Sequence, residues 1–115
     1  MNEPMNYQIK LTEQATADLR AIFTYIAYEI PQNRSVQNAQ GQLDRLEASI
    51  NSLAQFPERC SQYPYEPWKS RGLRLLPVDH YCIFYLTDND KATVFILRVL
   101  FNSRDLRSIW TEETL

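Results

Sequence analysis

The sequence predicts an α+β fold: an N-terminal strand, then an antiparallel helix hairpin packed on one face of a four-stranded, mainly antiparallel sheet, then a short C-terminal helix. The first half carries apolar residues at three- and four-residue steps in two long stretches, the signature of amphipathic helices. A proline-rich break follows. Beyond Gly72 the chain reads as short apolar runs separated by turn-forming clusters, which is the pattern of strands.

Taken in order, Tyr7, Ile9 and Leu11 alternate with Gln8 and Lys10, giving a short strand over residues 7–11. Thr12 is placed to cap a helix, with Glu13 favourable in its first turn. Ala15, Leu19, Ile22, Phe23, Ile26 and Ile30 form one apolar stripe, and Pro31 ends it. A second helix starts between Asn33 and Ser35. Val36, Ala39, Leu43, Leu46, Ile50 and Leu53 form its seam, which Pro57 stops. Gly41 inside it costs about 1 kcal/mol. Residues 12–56 therefore make the hairpin, whose seam fits either its neighbouring helix or a dimer zipper.

Residues 57–70 break the pattern. Pro57, Pro64 and Pro67 exclude regular structure, while Tyr63, Tyr65 and Trp68 supply large faces. Such a loop either folds over the core edge or stands as a flap for a partner. Three strand segments follow, 71–78, 81–87 and 92–101, separated by Asp79–His80 and by Asp88–Asn89–Asp90–Lys91. Short connections make them a meander over residues 71–101, and a short helix is expected over 103–110.

These strands are apolar on both sides. Strict alternation puts Val94, Ile96 and Leu100 on one face and Phe95, Leu97 and Val99 on the other. Tyr81, Ile83 and Tyr85 likewise oppose Cys82, Phe84 and Leu86. One helix hairpin covers one face, so the other is expected to lie bare and to bind another chain or a second copy.

Composition narrows the function. At 115 residues the chain is one domain, with 44% apolar and 23% charged residues. A net charge of −2 gives no bulk attraction to nucleic acid or an anionic membrane. Cys60 and Cys82 fall in no metal or redox spacing, and one histidine with two distant cysteines makes no usual zinc set. Gly41 and Gly72 are too few for a phosphate-binding loop, and Ser70, Asp79 and His80 lack a nucleophile-elbow setting. No cofactor is expected. Residues 1–7 hold neither a basic stretch nor an apolar run, and no window approaches the ~20 apolar residues of a membrane span. A soluble cytoplasmic protein without membrane contact is expected.

Several segments resemble the RelE/ParE toxin superfamily. Ala15–Thr16–Ala17–Asp18–Leu19 with Ile22 and Tyr25–Ile26 is similar to the first helix of these toxins, and Leu53–Ala54–Gln55–Phe56–Pro57 to the close of the second. Gly72–Leu73–Arg74, Val78 and Tyr81–Cys82–Ile83–Phe84–Tyr85 resemble their central hairpin. Arg98–Val99–Leu100 and Arg104–Asp105–Leu106 resemble their terminal motifs. The resemblance runs from about Tyr7 to Trp110, and its weight lies in the order of the pieces.

It implies the toxin half of a type II toxin–antitoxin pair, held by a small cognate antitoxin from the adjacent gene and arresting growth when freed. Operator DNA would be bound only through the antitoxin. The target would be DNA gyrase, as in ParE-like members, or ribosome-bound mRNA cut by a RelE-like endonuclease; an inactive antitoxin-binding module is the further alternative. RNA cleavage needs an acid–base pair and cations on the phosphate. If the chain is a nuclease, Arg71, Arg74 and Arg98 are the cations, with Tyr85 and His80 as acid–base candidates. Phe101 stands where many relatives carry histidine, and no Tyr or His follows Arg98. The long hairpin, that departure and the acidic balance favour the ParE-like reading, with Arg98, Arg104, Arg107 and Trp110 as target contacts. Tyr81, Ile83, Tyr85 and Trp68 are the expected antitoxin contacts.

Overall fold

The computed structural model of the chain describes residues 6–102, so the helix expected over residues 103–110 lies outside the described residues. The elements run β1 (Gln8–Leu11), α1 (Glu13–Thr24), α2 (Val36–Ser52), β2 (Arg74–Val78), β3 (Tyr81–Asp88) and β4 (Thr93–Phe101). The sheet has the order β1-β4-β3-β2, with β1 parallel to β4 and the other pairs antiparallel. This is the predicted α+β architecture.

Each helix begins on the side chain that the sequence offers. Thr12 Oγ1 accepts the Ala15 N–H at 3.0 Å and donates to the Leu97 carbonyl at 2.8 Å, so one hydroxyl caps α1 and ties it to β4. Ser35 Oγ accepts the Asn38 N–H at 3.1 Å and caps α2. The first helix does not reach Ile30 as a regular α-helix. It widens into a π-turn over Tyr25–Glu29, where the Ile30 N–H donates to the Tyr25 carbonyl. α2 ends at Ser52, before Pro57. Phe56 takes a left-handed conformation, and Pro57 opens a 3-10 turn, Pro57–Arg59. The Arg59 guanidinium donates to the carbonyls of Ser52, Gln55 and Phe56 and so closes the C-terminal end of α2.

The α2 seam is buried within the chain. Ala39, Leu43, Leu46, Ile50 and Leu53 are buried and only Val36, at its start, is exposed. Leu43, Leu46, Ile50 and Leu53 pack with Ala15, Leu19 and Ile22 of α1 and with Tyr81, Ile83, Tyr85, Val94, Ile96 and Val99 of the sheet. The neighbouring helix, and not a dimer zipper, satisfies the heptad-like spacing.

β4 departs from strict alternation. Phe84 pairs with Arg98 and Tyr85 with Ile96, so Leu97 has no partner and forms a β-bulge. The extra residue exchanges the faces beyond it. Val99, not Leu100, joins Val94 and Ile96 on the helix side, while Leu100 joins Phe95 and Leu97 on the other. The expected placement of Val99 and Leu100 is corrected accordingly.

The far face is not bare. Tyr63, Trp68 and Leu73 pack there on Cys82, Phe84 and Leu97, with Leu75, Leu86, Phe95 and Leu100 half-buried around them. The Pro/aromatic loop is folded over the sheet. Its backbone pairs with the β2 edge through Tyr63 N–H to Leu73 O at 2.7 Å and Leu75 N–H to Ser61 O at 3.1 Å. Tyr63 meets Phe84 edge-on at 6.0 Å, and the Arg71 guanidinium stacks over Trp68 at 5.2 Å. A sheet apolar on both sides is thus covered by helices on one side and by its own loop on the other.

Asp79 locks the β2–β3 turn to α2. Its Oδ2 accepts from Arg45 Nε at 2.8 Å and Gln42 Nε2 at 2.9 Å. The Arg45 hydrogen bond, then that of Gln42, holds its carboxyl below the ordinary 3.8. A depressed carboxyl stabilises the fold above its ordinary value, and that contribution fades as pH falls through the lowered one. An NMR titration should therefore place the Asp79 midpoint below 3.8, and Arg45→Ala should raise it. An unchanged midpoint in Arg45→Ala would remove this account.

Candidate functional site

The arginines proposed for phosphate binding do not converge. Arg74 on the edge strand β2 and Arg98 on β4 are separated by the whole of β3. Two strand spacings put their backbones roughly 10 Å apart. Arg74 Nη1 donates to the Cys60 carbonyl at 2.6 Å and pins the loop to the sheet. Arg71 lies in the loop over Trp68, beyond β2. Arg74 and Arg98 are thus each turned to a different partner, and no shared anion site forms between them.

Arg98 is committed to Asp18. Its Nε and Nη2 meet Asp18 Oδ2 and Oδ1 at 2.8 and 2.9 Å, a bidentate fork, and Asp18 Oδ2 also accepts the Val99 N–H at 2.9 Å. The side chains are 20% and 14% exposed. The Asp18 hydrogen bond outweighs burial and pushes the Arg98 guanidinium above its ordinary value. This clasp sits at the β4 bulge, where Thr12 also holds Leu97 O. Sequence pattern alone gives Asp18 no role in a site. The available signal was an acid flanking the Ala15–Leu19–Ile22 stripe and an arginine inside an otherwise apolar strand.

The acid–base candidates are dispersed as well. Tyr85 is fully buried and donates its hydroxyl proton to the Pro57 carbonyl. Burial first, then its hydrogen bond with Cys60, pushes this hydroxyl well above the ordinary tyrosine range, so it keeps its proton at neutral pH. Tyr85→Phe should leave a buried carbonyl short of a donor and cost about 1–3 kcal/mol in chemical denaturation. A change indistinguishable from zero would show that the hydroxyl is not needed there. His80 lies exposed in the β2–β3 turn with its ring 6.3 Å from Phe101. It faces neither Tyr85 nor Arg74.

The expected antitoxin contacts are corrected by burial. Ile83 and Tyr85 are fully buried under the helices, Tyr81 is 7% exposed and Trp68 is 5% exposed beneath its loop. Of these four, Tyr81 alone reaches a surface feature, as part of a groove lining. Arg104, Arg107 and Trp110 lie outside the described residues. What the described surface offers instead is an open apolar groove of about 360 Å³ between α1 and the end of β4. Ala21, Ile22, Tyr25, Tyr81, Val99 and Phe101 line it, with Asp18 and Leu100 at its wall. Tyr25 is 44% and Phe101 60% exposed, large apolar surface at the groove's rim.

Among the described residues no cluster of His, Cys, Asp or Glu is arranged to hold a metal ion. No helix among them is long and apolar enough to cross a membrane. Cys82 is buried in the far-side cluster, where burial pushes its thiol up, and Cys60 is half-buried.

Solved structures share this architecture. The chromosomal ParDE toxin–antitoxin system of P. aeruginosa superposes with a TM-score of 0.66 at 20% identity, over 86% of this chain and 99% of that one. The RelBE2 toxin–antitoxin complex of Mycobacterium tuberculosis gives 0.58 at 20% identity, over 88% and 97%. A free-state mutant of the E. coli toxin RelE gives 0.59 at 14% identity, over 91% and 90%. No curated protein matches the chain by sequence. The family described as ParE toxin of type II toxin-antitoxin system, parDE, matches residues 9–106. That span takes in β1, the helix hairpin, the covering loop and the Arg98 clasp, and by it the chain belongs to the ParE toxin family.

Proposed function

We propose that this chain is a growth-arresting toxin, neutralised by a cognate antitoxin, that acts on DNA gyrase by protein–protein contact and not by cutting RNA. The observation that carries the choice is the Asp18–Arg98 clasp. An arginine held by a carboxylate fork and 20% exposed is a poor phosphate clamp, because an incoming phosphate must displace an anion already in place. Two further observations support it. Tyr85 keeps its proton on Pro57 O, and Phe101 occupies the position where a general acid would be wanted. With Arg98 committed, target contact falls to Arg104 and Arg107. Operator DNA is reached only through the antitoxin, since a net charge of −2 gives the chain little affinity of its own for a polyanion.

Pulsed expression without antitoxin tests this. Growth should stop, a DNA-damage reporter should rise and transcripts should stay intact. Transcripts cut within codons, with the reporter silent, would replace the gyrase reading by a ribosome-dependent nuclease. Unimpeded growth would reduce the chain to an inert antitoxin-binding module.

A further inference from the structure

We infer that the groove between α1 and β4 is an aromatic seat for a basic side chain: it takes an arginine of a protein partner, whose guanidinium lies among Tyr25, Tyr81 and Phe101. The three rings come from three places in the fold, Tyr25 from the π-turn that ends α1, Tyr81 from β3 and Phe101 from β4. Tyr81 and Phe101 stand at 85° with their ring centroids 5.7 Å apart, so together they make two walls of a corner. Tyr25 lines the groove from the helix side. Burial first, then the neighbouring Tyr25 hydroxyl, pushes the Tyr81 hydroxyl above its ordinary value, so Tyr81 stays protonated at neutral pH.

The chemistry of the lining selects a cation. The faces of aromatic rings carry partial negative charge and attract cationic groups, guanidinium most often. Among the described residues no lysine, arginine or histidine lines the groove, and its polar atoms belong to Asp18 and the two tyrosines. Among the described residues Asp18 accepts three hydrogen bonds, two from Arg98 and one from the Val99 N–H, of the about four that a carboxylate can take. One acceptor position therefore remains at the wall. The fork with Arg98 neutralises most of the Asp18 charge, so the rings supply the main attraction. Ala21, Ile22 and Val99 give an apolar bed for the methylene stem of an arginine. Tyr25 and Phe101, 44% and 60% exposed, leave the seat open to an incoming chain. The inference concerns the chemistry of this contact and does not rest on the gyrase reading.

The test titrates the isotope-labelled full chain, followed by NMR, with a blocked Leu-Arg-Leu tripeptide and with its twin carrying citrulline, the neutral isostere of arginine. The amide lines of Ala21, Ile22 and Val99 should move, and the arginine peptide should bind roughly fivefold more tightly than the citrulline peptide. Tyr25→Leu and Phe101→Leu each remove one ring but keep the groove apolar. Each should shrink that ratio while changing the affinity for the citrulline peptide little, and unfolding in urea checks that both variants are folded. Equal affinity for the two peptides overturns the inference and makes the groove an ordinary apolar seat. A preference for arginine that survives both variants overturns it, because the cation is then held elsewhere. The absence of any shift with either peptide overturns it too.

Discussion

Replacing Asp18 with alanine is expected to destabilise the fold by about 2–4 kcal/mol, somewhat less than the ~3–5 of breaking a fully buried pair. The variant leaves the Arg98 guanidinium without its fork and the Val99 N–H without its acceptor, both part-buried. It also cuts a tie between α1 and the β4 bulge, leaving those of Thr12 to Leu97 O and Ile96 O. Removing the charge partner as well, in Asp18→Ala with Arg98→Leu, should recover much of the loss, because no uncompensated charge remains. Urea denaturation of the two single variants and the double variant gives the coupling directly. A single-variant loss below about 0.5 kcal/mol would class the clasp with surface ion pairs and weaken the case that Arg98 is held.

Trp68→Ala should cost about 3–5 kcal/mol, the usual range for removing a buried tryptophan from a packed cluster. Trp68 closes the loop over Phe84 and Leu97, so its loss uncovers the far face of the sheet. The variant should therefore bind a hydrophobic dye that the parent does not, at temperatures where its helices are still folded. Wild-type stability and no dye binding would mean that the loop is not what shelters this face. The comparison substitution is Val36→Ala at an exposed helix start, expected to stay within about 0.5 kcal/mol of the parent.

Much of this architecture can be read from local patterns. The seam from Ala39 to Leu53, the Thr12 cap and the turn at Asp79–His80 are each encoded within a few residues, and each is found where the spacing places it. The bulge at Leu97 is different. Alternation along β4 is a reliable guide only while register is kept, and register here is broken by contacts to Thr12 and Asp18, some 80 residues away in sequence. No pattern inside Thr93–Phe101 announces it.

The same limit explains the bare face that was expected and not found. Counting helices against sheet faces leaves one face uncovered, but Tyr63 and Trp68 come from a segment whose prolines give it no periodicity. Its coverage depends on tertiary contacts with Phe84 and Leu97. The burial that shelters this face also removes Trp68 from the surface. Ile83 and Tyr85 are lost from it for the ordinary reason that they lie under α1 and α2. At the site, the arginines were identifiable as residues but their partners were not. Asp18 and Cys60, which hold Arg98 and Arg74, are joined to them only through the fold.

The most direct measurement adds the purified chain to purified gyrase and, in parallel, to ribosomes translating a defined mRNA. The account predicts that supercoiling stalls with gyrase trapped on cleaved DNA while the mRNA stays whole. An mRNA cut within codons beside unimpaired supercoiling would contradict it.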